Sequence, residues 1–549
     1  AWRFDIHNKE CHEKKHQHCR SEPFRTGAAG LMFVSEKAIF PVALISAGLL
    51  WLGLPGGGEV WPVLFIALLP LLLITTLRSE KQRFFYGLVV GLAHFLFQLY
   101  WIVIVLGRYG GLAWYFTYPA TVLLCLYMAV YFGIFSLLAG TVLQRWGAFT
   151  FFCLAPFLWV GLDWLRGVLF SGFPWMDLGY GLWKTHYLLQ AADLFGHHFL
   201  TFMVVVCNVA LFLCVHKTER RAAPPALIIA CVVIMSAGGY GYFRTLQLEK
   251  TIASSEGAVF GIVQGNIDQS RKWEPVEQQR TVETYINQSK TLLDKPDMPQ
   301  LVVWPETALP FYPSRNPLFE DVLELARDGN VAIMTGSPWF EIEDAEKRLI
   351  NFYNSALLLA PDVGNAAIYY KSHLVPFGEY VPLRKVLFFL APLVEAVGDF
   401  TPGKVEKPLS FQNIRCGVLI CFESIFPEIT RKWMYAGANV LVNLTNDAWY
   451  GRSSAPAHSM AMSVLRAVES RRSLVRAANT GISGFVDPLG RVNASSQIFV
   501  KWAKSMKVTL VDEMTFHSRF GYLFGPFCFF LAIGITSICF IKRRKIAKP

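Results

Sequence analysis

Apolar and polar positions divide the chain into two regimes. Up to about residue 245, and again near the end, hydrophobic runs of bilayer-crossing length, about 17 to 25 residues, follow one another. They fall at 37–54, 59–77, 84–106, 112–143, 148–169, 198–215, 225–243 and 522–541, which predicts about eight transmembrane helices. Basic residues mark one side of this array. Arg78, Lys81 and Arg83, then Arg145, then Lys217, Arg220 and Arg221, and finally Lys542, Arg543, Arg544 and Lys545 all fall on the same side when the N-terminus is cytoplasmic. The opposite loops hold Gly56, Gly57 and Gly58 and a lone Arg108. Lys and Arg accumulate on cytoplasmic loops, so both termini are expected in the cytoplasm and the polar block at 250–515 outside it.

Inside that block the period changes. Short β-rich runs such as Val259-Phe260-Gly261-Ile262-Val263, Leu301-Val302-Val303-Trp304, Val331-Ala332-Ile333-Met334, Gly417-Val418-Leu419-Ile420 and Val440-Leu441-Val442-Asn443 alternate with helical stretches, for example 276–293 and 456–475. This alternation predicts an α/β domain. The expected organisation is a polar N-terminal extension (1–37), seven helices (38–245), the α/β domain (250–515), a final helix (522–541) and a basic tail (542–549).

Composition agrees with a membrane protein: 53% of the 549 residues are hydrophobic and 15% aromatic, with a mean hydropathy of +0.37. The net charge of +11 is then a matter of loop placement, and nucleic acid is not expected as a partner. Of eleven cysteines, Cys125, Cys153, Cys207, Cys214 and Cys231 lie inside apolar runs, where a thiol behaves as a small hydrophobe. Cys416 and Cys421 are expected as free thiols, since five residues of strand separate them by roughly 16 Å. Cys11, His12, His16, His18 and Cys19 lack a second ligand pair at zinc-finger spacing and a nearby apolar core, so no metal is expected there.

Three reactive residues each follow a strand-like run: Glu306 after Leu-Val-Val-Trp-Pro, Lys371 after Ala-Ile-Tyr-Tyr, and Cys421 after Gly-Val-Leu-Ile. In open α/β sheets, ligands and catalytic groups gather at the carboxyl ends of strands. Taken singly, Glu306 also suits a helix start, and Lys371 a solvated strand end. Cys421 is harder to dismiss, because a free thiol in an oxidising compartment is exposed to oxidation. No histidine follows it closely as a base. Glu306 is therefore the candidate proton acceptor, with Lys371 as the cation facing the oxyanion of a tetrahedral intermediate.

Trp304-Pro305-Glu306-Thr307, the run from Tyr370 and Lys371 through Pro376, Phe377, Gly378, Glu379 and Tyr380, and Cys421-Phe422-Glu423 resemble the nitrilase, or carbon-nitrogen hydrolase, superfamily. Asn443-Leu444-Thr445-Asn446-Asp447-Ala448-Trp449-Tyr450-Gly451 and Arg476-Ala477-Ala478-Asn479-Thr480-Gly481 are similar to one branch of it, the bacterial apolipoprotein N-acyltransferases. Gly172-Phe173-Pro174-Trp175, Leu178-Gly179-Tyr180, Gln190, Asp193, Gly196 and Asn208 extend the match through about 38–541. The extension before residue 38 lies outside the pattern, and Ala457 stands before His458 where glutamine is common. The resemblance implies an αββα sandwich in the periplasm on eight inner-membrane helices. It implies transfer of an acyl chain from a phospholipid, typically phosphatidylethanolamine, through a thioester to the amine of a diacylglyceryl-cysteine apolipoprotein, without a cofactor. Carried over residue by residue, it makes Glu306 the base, Lys371 the oxyanion partner, Cys421 the nucleophile, Glu379 a second carboxylate, Glu423 a supporting carboxylate and Trp273 a substrate-contacting aromatic.

Some segments invite further expectations. The apolar run 386–397 is too short to span and suits an interfacial lid or an ordinary packed helix. Trp175, Tyr180, Trp183 and Tyr187 could anchor at headgroup level. Asp163 and Arg166, one turn apart, suit a functional pair or, the favoured reading, a mutually neutralised pair near the end of the span. An amidase with water as acceptor, or a binding protein with a degenerate domain, are the alternative functions; an intact Glu306, Lys371 and Cys421 set speaks against the second. The oligomeric state is not legible.

Overall fold

The computed structural model describes residues 36–344, 346, 349–362, 367–380 and 399–546. The N-terminal Cys and His residues and the 386–397 segment lie outside the described residues. All eight apolar runs lie in helical structure, some of it broken. Among the described residues, three helices are long and apolar enough to cross a membrane: Trp114–Ser171, Leu188–Val215 and Arg220–Ser254. A fourth candidate is the pair Glu80–Leu99 and Ile102–Tyr109, bent by 57°. Phe40–Gly53, Trp61–Ile74 and Gly521–Ser537 are shorter apolar helices. The first of the long helices holds 58 residues, roughly 87 Å at 1.5 Å per residue, several times what one crossing needs. It breaks at Gly147, whose φ of 79° and ψ of 176° are not helical, between the two runs that the hydropathy pattern separates.

Buried polar side chains close the broken helices. Asn208, fully buried, donates to the Leu64 and Val204 carbonyls at 2.8 Å each and accepts from the Leu68 N–H at 2.9 Å. It thereby satisfies backbone groups freed where the 61–74 segment changes from 3-10 to α geometry. In an apolar surround an unpaired amide costs several kcal/mol.

The polar block forms two six-stranded sheets. The first, in the order β12-β1-β2-β3-β4-β5, uses β1 (Gly257–Gln264), β2 (Leu301–Val303), β3 (Ala332–Asp344), β4 (Leu349–Leu359), β5 (Ala367–Tyr370) and β12 (Trp502–Thr509). The second, in the order β11-β10-β9-β8-β7-β6, uses β6 (Leu409–Phe411), β7 (Ile414–Ile420), β8 (Val440–Thr445), β9 (Leu474–Ala478), β10 (Gly484–Val486) and β11 (Val492–Ser495). β1-β2-β3 and β7-β8-β9 run parallel; the flanking strands are antiparallel. Strand alternation sends Ile262, Val303 and Met334 into the same core as Val418, Ile420, Val442 and Ala477. Val263, Val302, Ile333 and Leu357 face outward and pack with Val282, Tyr285, Leu292, Val322 and Leu325, on the helices Pro275–Leu293 and Leu318–Asp328.

The expected 456–475 helix is shorter in the structure, Ala455–Ser470. Arg471 caps it in the left-handed region at φ 51°, and Leu474 and Val475 pair with Leu441 and Val442 as β9. Only Arg471-Arg472-Ser473 separates the helix from the strand, so the apolar positions on either side read as one element.

That cap joins the sandwich to the apolar helices. Arg471, 1% exposed, donates to Asp193 Oδ2 at 3.0 Å, to Gln190 Oε1 at 2.7 Å and to the Gln190 and Pro488 carbonyls. Asp193 also accepts from Tyr240 and Arg244. One turn earlier, Arg466 pairs with Glu469 at 3.0 Å, and Glu469 accepts from the His197 N–H at 2.8 Å. Trp175 and Tyr180, which hydropathy alone assigns to a headgroup layer, are buried in this junction: Trp175 donates to His458 and Tyr180 stacks on His197. Their polar tips find partners in the sandwich, while Tyr187 stays exposed. Arg166 bridges Asp163 and Asp177, so the expected neutralised pair is part of a larger buried set.

Removing one partner of a buried ion pair costs about 3–5 kcal/mol because the other charge is left uncompensated. Asp193→Ala, which strands the Arg471 and Arg244 guanidiniums, is expected to destabilise the protein by about that much, measured as loss of thermal unfolding temperature of the full chain in detergent. Asp193→Asn should recover part of the loss, since the amide oxygen still accepts.

Candidate active site

Glu306 is delivered by β2. Trp304, fully buried, donates from Nε1 to Ser289 Oγ at 2.9 Å and stacks on Tyr285, pinning the strand end to the outer helix. The following turn lies on β3 through Gly336 N–H to Pro305 O at 3.1 Å and Leu309 N–H to Gly336 O at 3.1 Å. A side chain at Gly336 would meet Thr307 N at 2.3 Å and Glu306 Cα at 2.6 Å, so only glycine lets the turn approach. The Glu306 carboxylate, 6% exposed, accepts from Asn354 Nδ2 at 2.8 Å and from the Asn446 N–H at 2.9 Å.

Lys371 follows β5 and is 1% exposed. Its Nζ stands 2.9 Å from the Glu379 carboxylate and 3.9 Å from Glu306 Oε1. Glu379 also accepts from Asn354 Nδ2 at 2.9 Å and from the Val375 N–H at 2.8 Å, so Asn354 bridges the two carboxylates. Cys421 follows β7 in the left-handed region, at φ 51°, on the first residue of a single 3-10 turn. Non-glycine residues held there cost free energy and persist only where surrounding contacts fix them. Thr445 and Tyr450 lie beside its thiol.

The fixing contact is Glu423, fully buried. One carboxylate oxygen accepts from Ile420 N–H at 2.7 Å; the other accepts from Ser372 N–H and Oγ at 2.7 Å each, from Tyr369 OH at 2.8 Å and from His373 N–H at 3.2 Å. One side chain thus ties the turn bearing Cys421 in one sheet to the residues after Lys371 in the other. The long motif after β8 backs the site: Arg476 donates to Asn443 and Asp447, Thr445 to Asp447, and Asn446 Nδ2 to Gln269 at 2.6 Å.

Burial raises the Glu306 pKa; Lys371 opposes the rise and Glu379 adds to it. Burial works against the Lys371 ammonium, but Glu379 and Glu306 outweigh it and hold the group firmly charged. The Cys421 thiol is pushed up to about 12, by burial first and then by Glu306, with Lys371 opposing. A thiol so placed is protonated at rest and needs a base at the moment of attack.

The structure therefore brings Glu306, Lys371, Cys421, Glu379 and Glu423 together from separate strand ends. Trp273 is not among them by contact: it is 52% exposed. Sequence reasoning passed over Asn354, whose signal would have been a lone amide inside the apolar half of β4, and Lys272, next to Trp273 and 1% exposed. Elsewhere, Asp177, His197 and His198 present possible metal donors within 4.8 Å of one another. Arg166 hydrogen-bonds that aspartate, and both His197 nitrogens face carboxylates. A guanidinium already supplies the positive charge a metal would bring, so the donor set fits an ion-pair cluster.

Residues 260–501 match the carbon-nitrogen hydrolase family, which makes the two-sheet domain and its Cys421 turn a member of that class. Residues 46–210 match the apolipoprotein N-acyltransferase N-terminal domain. An apolipoprotein N-acyltransferase from Geobacter metallireducens is 38% identical over 92% of this chain and 95% of its own. One from Methylococcus capsulatus is 32% identical over 85% and 89%. The chain belongs to the apolipoprotein N-acyltransferase family and is an acyltransferase. A carbon-nitrogen hydrolase structure from Helicobacter pylori G27 aligns over 46% of this chain and 89% of its own, at 19% identity and a TM-score of 0.34.

The charge arrangement predicts how the thiol reacts with iodoacetamide, followed by mass spectrometry of the Cys421 peptide. Labelling should rise about tenfold per pH unit from pH 7 to 10 as the thiolate fraction grows. Lys371→Met, which removes the cation opposing the upward shift, should slow labelling about tenfold at each pH. Glu306→Gln, which removes a repelling anion, should speed it.

Proposed function

We propose that this acyltransferase takes an acyl chain from a phospholipid, with phosphatidylethanolamine the expected donor, and passes it through a Cys421 thioester to the N-terminal amine of a diacylglyceryl-cysteine apolipoprotein. The observation that carries the reading is the convergence of a base, a fixed cation and a protonated thiol on one buried site. Glu306 takes the thiol proton as Sγ attacks the ester carbonyl. Lys371 faces the oxyanion, and Glu379, 2.9 Å from its Nζ, holds the ammonium in place. Collapse expels the lysophospholipid alkoxide, which recovers the proton from Glu306. The acceptor amine then attacks the thioester, Glu306 takes its proton, and the thiol re-forms.

The setting supports a lipid donor. Residues 101–109 reach the turn beside Cys421 through Trp101 on Tyr450, ring centroids 4.9 Å apart, and Tyr109 on Trp449, 5.7 Å apart. Trp101 also contacts Trp175 at 4.9 Å. An apolar helix thus ends in aromatic contact with the thiol's own surroundings, where an acyl chain can remain out of water at a gain of about 0.8 kcal/mol per methylene. We place the sandwich on the periplasmic face of the inner membrane, over about eight crossings with both termini cytoplasmic, from the charge asymmetry of the loops.

Purified protein incubated with acyl-labelled phosphatidylethanolamine should form a hydroxylamine-sensitive adduct, absent in Cys421→Ala. A diacylated lipopeptide with a free amine should discharge it. An adduct that persists in Cys421→Ala sinks the thioester, and discharge to water alone makes the protein a hydrolase.

A further inference from the structure

Lys272 lies in the stretch Arg271-Lys272-Trp273-Glu274, just before the helix Pro275–Leu293. Its neighbours face solvent: Arg271 pairs with Glu274 and Glu277, and Trp273 is half exposed. Lys272 turns the other way. It is 1% exposed, and its Nζ has no hydrogen-bond partner among the described residues. A buried ammonium without a partner carries a desolvation cost of several kcal/mol, which a protein retains only where the charge is used.

The loop that carries it is tied down beside the candidate base. Asn266 N–H donates to the Asn479 carbonyl at 3.0 Å, Ile267 N–H to Asn479 Oδ1 at 2.8 Å, and Asn446 Nδ2 to Gln269 Oε1 at 2.6 Å. Asn446 is the residue whose N–H bonds Glu306. Glu306 is the charged group that acts on Lys272, against burial that brings the ammonium down to about 8. Glu306 in turn faces Lys371, Glu379, Cys421, Tyr450 and Lys272. Lys371 is 1 Å nearer to Glu379 than to Glu306, and two carboxylates with one lysine leave the site a charge short. We propose that Lys272 is a positioning residue whose free ammonium is a second counter-charge, added to that of Lys371, that keeps Glu306 a carboxylate, ready to accept the Cys421 proton.

The inference rests on the base and nucleophile roles given above to Glu306 and Cys421, and the test separates the two. Acylation of Cys421 is followed as the burst of p-nitrophenolate from p-nitrophenyl butyrate, a donor that needs no lipid, against pH in the full chain. In the wild type the ascending limb reports Glu306. Lys272→Met removes a cation that favours the carboxylate, so the limb should move up by about one pH unit, with about tenfold slower acylation at its foot. Lys272→Arg, which keeps the charge, should return it towards the wild-type position. A Lys272→Met profile superimposed on the wild type overturns the inference while leaving the Glu306 and Cys421 assignment standing. So does a Lys272→Arg limb displaced as far as that of Lys272→Met. A wild-type burst that survives Glu306→Gln or Cys421→Ala unchanged removes the assignment itself, and the inference with it.

Discussion

The site depends on one carboxylate that need not touch a substrate. Glu423 accepts from Ile420 on one sheet and from Tyr369, Ser372 and His373 on the other. It joins the strand end that presents Cys421 to the strand end that presents Lys371 by directional bonds, whereas the apolar contact of the two inner sheet faces is non-directional. Burial raises the Glu423 pKa, and its hydrogen bonds oppose the rise. The five donors aimed at it are what a buried carboxylate requires, so the residue that fixes the site is itself fixed by the site.

Electrostatics then follow from burial. The same exclusion of water that raises the Cys421 and Glu306 pKa values makes each nearby charge count for more. Lys371 beside Glu379, and Asn354 between the two carboxylates, are the arrangement by which like charges share a small dry volume.

Much of this was legible in the sequence. The strands β1, β2, β7 and β8 and the first part of β3 are largely apolar because both faces are covered there, and Glu306 and Cys421 stand out just beyond two of them. What was not legible depends on long-range pairing. β4 is largely exposed over its first four residues and buried throughout from Tyr353 to Leu359, β9 starts only three residues after a helix ends, and Asn354 acquires its meaning only when the chain brings it to Glu306. Trp175 and Tyr180 illustrate the same limit. Hydropathy gives an aromatic residue at the end of an apolar run the same reading whether its polar tip meets water or, as here, the His458 or Arg466 side chain.

The junction at Arg471 has a consequence for how the chain can be taken apart. Charges withdrawn from water are scarcely screened by salt, so the bonds from Arg471 to Asp193 and Gln190 hold at ionic strengths that strip peripheral proteins from their supports. The donors belong to the sandwich and the acceptors to the apolar helices, so neither half is an interchangeable part. A chimera that exchanged the sandwich for that of a distant relative would have to carry both sides of the lock, or leave Asp193 and Gln190 buried without the guanidinium they face.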